Sequence, residues 1–114
     1  YNQAIAYNGV LYVSGQIAIN PETGELITDT IEAETEQVLK NLGAVLEAGG
    51  SSFADVLKCD VFIDDMHNYE RVDNVYKKYF KPNENAPARA LVEVSCLPKF
   101  VSVEISCIAA IKEK

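Results

Sequence analysis

Residues 101–110, VSVEISCIAA, alternate with a period of two. Successive side chains of a strand point to opposite faces. Val101, Val103, Ile105, Cys107 and Ala109 therefore share one face, and Ser102, Glu104, Ser106, Ile108 and Ala110 share the other. The first set is a core face. The second is mixed: too apolar for open water and too charged for a sealed interior.

The same split recurs in the other strand-like runs. In 89–95, Ala90, Val92 and Val94 oppose Arg89, Leu91 and Glu93; in 56–63, Leu57, Cys59, Val61 and Ile63 oppose Val56, Lys58, Asp60 and Phe62. In 10–14, Leu11 and Val13 oppose Tyr12 and Ser14. The mixed face then gathers Arg89, Glu104, Lys58, Asp60, Tyr12 and Ser14, with Leu91, Phe62, Ile108 and Ala110 among them. Such a face suits a subunit interface, where apolar groups pack and charged groups ring a cleft. The alternative is a one-sided sheet with a solvated outer face.

Between these strands the pattern changes to helical. Ile31, Thr35, Val38, Leu42 and Val45 recur at helical spacing over 30–48. Asp29 with Glu32 resembles a capping box, and Gly49-Gly50 supplies the stop. A second helix is expected over 67–80, with Tyr69, Val72, Val75, Tyr76 and Tyr79 on one stripe and Lys81-Pro82 at its end. Asn8-Gly9 between Ile5–Tyr7 and Val10–Ser14 signals a two-residue hairpin, and NPETGE (20–25) a further turn. The order β-β-α-β-α-β-β predicts a mixed α+β sheet with at least one parallel pair and two helices on one face.

With 114 residues, 48% of them hydrophobic and 24% charged, the chain fits one globular domain spanning 1–114. A formal net charge of −7 disfavours sequence-independent binding to nucleic acid or to anionic membrane. A local cluster can still receive a small anion. Three cysteines without a CxxC pair, two of them in apolar strands, predict buried reduced thiols and a cytoplasmic protein. One histidine and no His/Cys cluster give no zinc site.

Arg89 is the residue whose placement asks for a reason. It follows Pro87, whose fixed φ sets where the next residues point, and it opens an apolar strand. A guanidinium fork recognises a carboxylate in bidentate fashion. The other reading is a structural ion pair, with Glu93 or Glu104 as partner.

Several of these stretches resemble the RidA/YjgF family of small imine deaminases: YNQA (1–4), LYVSGQIAINPETGEL (11–26), the block 36–66, VYKKYF (75–80), APARALVEVSCLPK (86–99) and VEI (103–105). The resemblance covers essentially the whole chain. It implies a chorismate-mutase-like fold and a homotrimer whose sheets form a central barrel, with clefts between subunits. It also implies a native N-terminal segment before Tyr1. The implied activity is hydrolysis of 2-imino acids such as 2-iminopropanoate and 2-iminobutanoate to 2-keto acids and ammonia, with no cofactor. By the same resemblance, Arg89 clamps the substrate carboxylate and Glu104 positions the attacking water. Tyr1, Ser14 and Gly15 line the cleft. Asp73 stands where several members have a cleft-lining asparagine, and an added carboxylate there would repel an anionic substrate. Leu91 stands where some carry cysteine. Two rival functions remain beside this one: a trimer that binds small carboxylates without turning them over, and an RNA-cleaving or RNA-binding protein.

Overall fold

The computed structural model describes residues 2–112. Five strands and two principal helices follow in the expected order: β1 (Ala4–Tyr7), β2 (Val10–Gln16), α1 (Ile31–Ala48), β3 (Val56–Ile63), α2 (Tyr69–Tyr79), β4 (Ala88–Glu93) and β5 (Val103–Ala110). They build one mixed sheet in the order β1-β2-β5-β3-β4. The crossover through α2 makes β3 and β4 parallel, and the remaining pairs are antiparallel. This is the mixed α+β sheet that the alternation of patterns predicts.

Local chemistry sets the element ends. Asn8 and Gly9 both take positive φ, 51° and 77°, as a two-residue hairpin of this twist requires. At the start of α1 the cap is Thr30, whose Oγ1 accepts the Ala33 N–H at 3.0 Å. Asp29 is therefore not the cap, a correction of one residue. At the far end Gly50 has φ 80°; its N–H reaches the Glu47 carbonyl and the Ser51 N–H the Leu46 carbonyl at 2.8 Å. That pair of bonds is the Schellman closure expected of a glycine stop.

Both helices lie on one face of the sheet. Val38, Leu39, Leu42 and Leu46 of α1, with Val72, Val75 and Tyr76 of α2, pack on Leu11, Val13, Cys59, Val61, Ile63, Val103, Ile105, Cys107 and Ala109. The opposite face carries Ile5, Tyr7, Tyr12 and Val92 as exposed large side chains.

Two face assignments change. A register shift between Val56 and Lys58 places Val56 in the core and leaves Leu57 exposed. More consequentially, β4 is the reverse of its apparent polarity. Arg89 pairs with Cys59 and Leu91 with Val61, so both lie on the helix-covered face. Ala90 and Val92 pair with Asp60 and Phe62 on the open one. Apolarity marked the wrong side because β4 is an edge strand whose open face is itself apolar.

Glu34, in the first turn of α1, ties that helix to the start of β5. Its side chain is 2% exposed, and its Oε2 accepts the N–H groups of Ser102 and Val103 at 2.7 and 2.8 Å. Burial pushes its pKa above the ordinary value, and the two N–H bonds offset this only in part. The folded state thus keeps a proton that the unfolded chain has lost. Stability from this group is greatest at low pH and falls as pH rises through the folded pKa. Glu34→Gln is expected to gain on the wild type in urea unfolding as pH rises above the ordinary carboxylate pKa, whatever the offset between them. A difference that is flat with pH would show that the carboxylate is not disfavoured.

Candidate active site

Pro87 leads into β4 and sets Arg89 beside α2. Tyr69, Asp73 and Tyr76 fall at helical spacing on one stripe of α2 and converge on the guanidinium. Arg89 Nη1 donates to Asp73 Oδ1 at 2.7 Å, and Nη2 donates to the Tyr69 hydroxyl at 3.1 Å. The Arg89 Cζ stands 4.9 Å from the centre of the Tyr76 ring, within cation–π range. Burial opposes the charge on Arg89, but the bonds to Asp73 and Tyr69 outweigh it and raise its pKa. Lys77 approaches the other oxygen of Asp73 at 3.5 Å. Asp73, Tyr76, Lys77 and Arg89 border a hollow of about 300 Å³, together with Phe80 and Pro87.

The partner of Arg89 is thus Asp73, and neither Glu93 nor Glu104. Glu93 instead accepts the Met66 N–H at 2.6 Å. Nothing in the sequence marked Tyr69, Tyr76 or Lys77 for this site beyond their places in helix α2. The tyrosines were legible only as an aromatic stripe.

Glu104 lies elsewhere. It pairs with Phe62 on the open face of the sheet, while Arg89 pairs with Cys59 on the helix face. Their backbones are two strands apart and offset by residues 59 to 62 of β3, roughly 14 Å by ordinary strand dimensions. They project from opposite faces. One chain therefore does not bring the two together, which corrects the expectation that they share the mixed face.

Around Glu104 a second cluster forms. β2 slips register between Val13 and Gln16, which puts Ser14 and Gly15 in a bulge. The Glu104 carboxylate lies against Gly15: a Cβ added there would stand 2.6 Å from Glu104 Oε2. A larger residue at this position would push the Glu104 side chain out of its present place. Desolvation raises the Glu104 pKa, which makes its carboxylate a better proton acceptor than a solvated one. Ser14 is committed locally, with its hydroxyl donating to the Asn2 carbonyl at 2.6 Å. Tyr1 lies outside the described residues.

Neither core thiol is a nucleophile at neutral pH: burial pushes Cys59 up to about 11 and Cys107 to about 12. Among the described residues, no group of three His, Cys, Asp or Glu side chains could hold a metal ion, and no helix is long and apolar enough to cross a membrane.

This fold occurs in a known group of proteins. The family model described as endoribonuclease L-PSP matches residues 1–111. The chain belongs to that family. A RutC family protein of Pyrococcus horikoshii is 47% identical, with 96% of this chain and 85% of the relative covered. The human 2-iminobutanoate/2-iminopropanoate deaminase is 39% identical, covering 96% of this chain and 78% of the relative. A solved structure from Thermotoga maritima superposes with a TM-score of 0.94 at 49% identity, covering 99% of this chain and 87% of that one. The RidA/YjgF resemblance read from the sequence is upheld by these relatives.

Proposed function

We propose that the protein hydrolyses 2-imino acids to 2-keto acids and ammonia. The observation that carries this reading is Arg89: a largely buried guanidinium, aimed by Pro87 and a tyrosine stack into a small hollow, with more donors than its two partners use. A fork held in this way suits one carboxylate of a small molecule. Membership in a family that includes a human deaminase of such imines supports the substrate class.

In this reading Arg89 holds the carboxylate of the substrate. The protonated imine is already electrophilic, so water needs orientation more than activation. Glu104 accepts a proton from that water as its oxygen bonds to the imine carbon, and the C=N electron pair moves to nitrogen. Protonation of nitrogen, collapse of the carbinolamine and loss of ammonia leave the keto acid. The reaction requires no metal or cofactor.

The separation of Arg89 and Glu104 within one chain means that a shared site needs two copies, with Arg89 from one and Glu104 from the next. The apolar open face, with Tyr12 and Val92 each 46% exposed, is suited to that association. A homotrimer with a central barrel is the assembly we propose, in keeping with the closed symmetry of most homo-oligomers. The family description names an endoribonuclease. A net charge of −7 weighs against a grip on RNA phosphates, so we favour the small-molecule reading.

An amino-acid oxidase that generates imino acids in the presence of semicarbazide tests the proposal. The protein is expected to suppress semicarbazone formation. Absence of suppression across several amino acids would overturn the hydrolase reading.

A further inference from the structure

We propose that Asp73 is a built-in competitor for the carboxylate fork of Arg89, and that it restricts the cleft to small monocarboxylates. The inference rests on the reading of Arg89 as the substrate clamp. Asp73 offers Arg89 what a substrate would offer: a carboxylate oxygen at 2.7 Å from a terminal guanidinium nitrogen. The two side chains are only 24% and 18% exposed, so water screens their attraction weakly.

The charge count of the hollow then sets its preference. Arg89 and Lys77 are two cations and Asp73 is one carboxylate; with Glu104 of the next copy, which the proposed site adds, the sum is zero. Without Asp73 it would be one net positive charge, which a monocarboxylate would neutralise. With Asp73 present a monocarboxylate adds one surplus negative charge and a dicarboxylate two, and in a partly desolvated cleft the second is the costlier. Phe80, Pro82, Ala86 and Pro87 make an apolar stretch of the wall that offers a second carboxylate nothing to bond. An entering carboxylate must also either displace Asp73 from its Arg89 donor or accept it as a close like-charged neighbour. Affinity for every anion is lowered, and most for those with two charges.

The plainer role for Asp73 is a staple between β4 and α2. The two roles predict opposite results for Asp73→Asn. A staple loses stability on substitution and gains no affinity. A competitor releases Arg89, so anions bind more tightly. The experiment is calorimetric titration of wild type and Asp73→Asn with 2-oxobutanoate and 2-oxoglutarate, alongside steady-state kinetics on 2-iminobutanoate.

With Asp73→Asn, 2-oxobutanoate is expected to bind at least about tenfold more tightly, and 2-oxoglutarate to gain by a larger factor. KM for 2-iminobutanoate should fall in step, with kcat within about twofold, because the released contact acts on ground and transition states alike. Asp73→Ser should behave in the same way and covers a failure of the asparagine variant to fold. Folded variants that bind both keto acids no better than the wild type would overturn the proposal. Tighter binding with no imine turnover in either protein would uphold the competitor and overturn the hydrolase reading. Turnover with unchanged binding would do the reverse.

Discussion

Arg89→Ala is expected to lower kcat/KM for 2-imino acids by at least about a hundredfold while the fold persists. The substitution removes the fork that positions the substrate carboxylate, and misplacement near the reacting carbon is costly in rate. Several features argue that structure survives. Arg89 lies on an edge strand rather than in the centre of the sheet. Asp73, left without it, retains Lys77 at 3.5 Å and is partly solvated. Tyr69 and Tyr76 keep their places on α2, and Tyr76 remains packed against Phe80 with ring centres 4.8 Å apart. Arg89→Lys separates charge from geometry. A lysine keeps the positive charge but presents no planar fork, so it should recover only part of the loss. Circular dichroism and thermal melting, run beside the semicarbazide assay, check both halves. Wild-type turnover by a folded Arg89→Ala protein would remove Arg89 from the mechanism.

The fold was legible where pattern and chemistry agreed. The period-two runs placed β3 at its observed bounds, and Asn8-Gly9 gave the first hairpin. The apolar stripe of α1 and its glycine stop gave that helix to within a residue. The site was legible in its parts: Arg89 stood out because a charged residue opened an apolar strand behind a proline. Its surroundings were not legible. Alternation divides β4 into two sets of side chains without saying which set meets the helices. Only the parallel register of Arg89 with Cys59 decides this, and register depends on a crossover through α2 that no local signal encodes. Composition pointed the other way, since Ala90 and Val92 look like core. Asp73 was noticed as a carboxylate near the cleft, yet its bond to Arg89 spans 16 residues of chain. That contact follows from the same reversal of face.

The reversal leads to the second large effect, which concerns mixtures of variants. If one site draws Arg89 from one copy and Glu104 from another, Arg89→Ala and Glu104→Ala are each inactive alone for different reasons. A mixed oligomer of the two contains interfaces at which an intact Arg89 faces an intact Glu104. With random assembly into a ring, such an interface needs a Glu104→Ala copy on one side and an Arg89→Ala copy on the other, so about a quarter of the sites are restored. Co-refolding equal amounts of two inactive proteins should therefore return roughly a quarter of wild-type activity. Mixing without unfolding should return less, in proportion to subunit exchange. The open face supplies a control: Ile108→Asp places a carboxylate beside Tyr12, its partner across β2 and β5, and should break association. Added to both variants, it should abolish the restoration while Arg89 and Glu104 keep their positions within each chain. Restoration that survives in monomers would show that it does not arise at an interface between copies, and would overturn the shared site. No restoration in stable mixed oligomers would show that no site draws Arg89 from one copy and Glu104 from another.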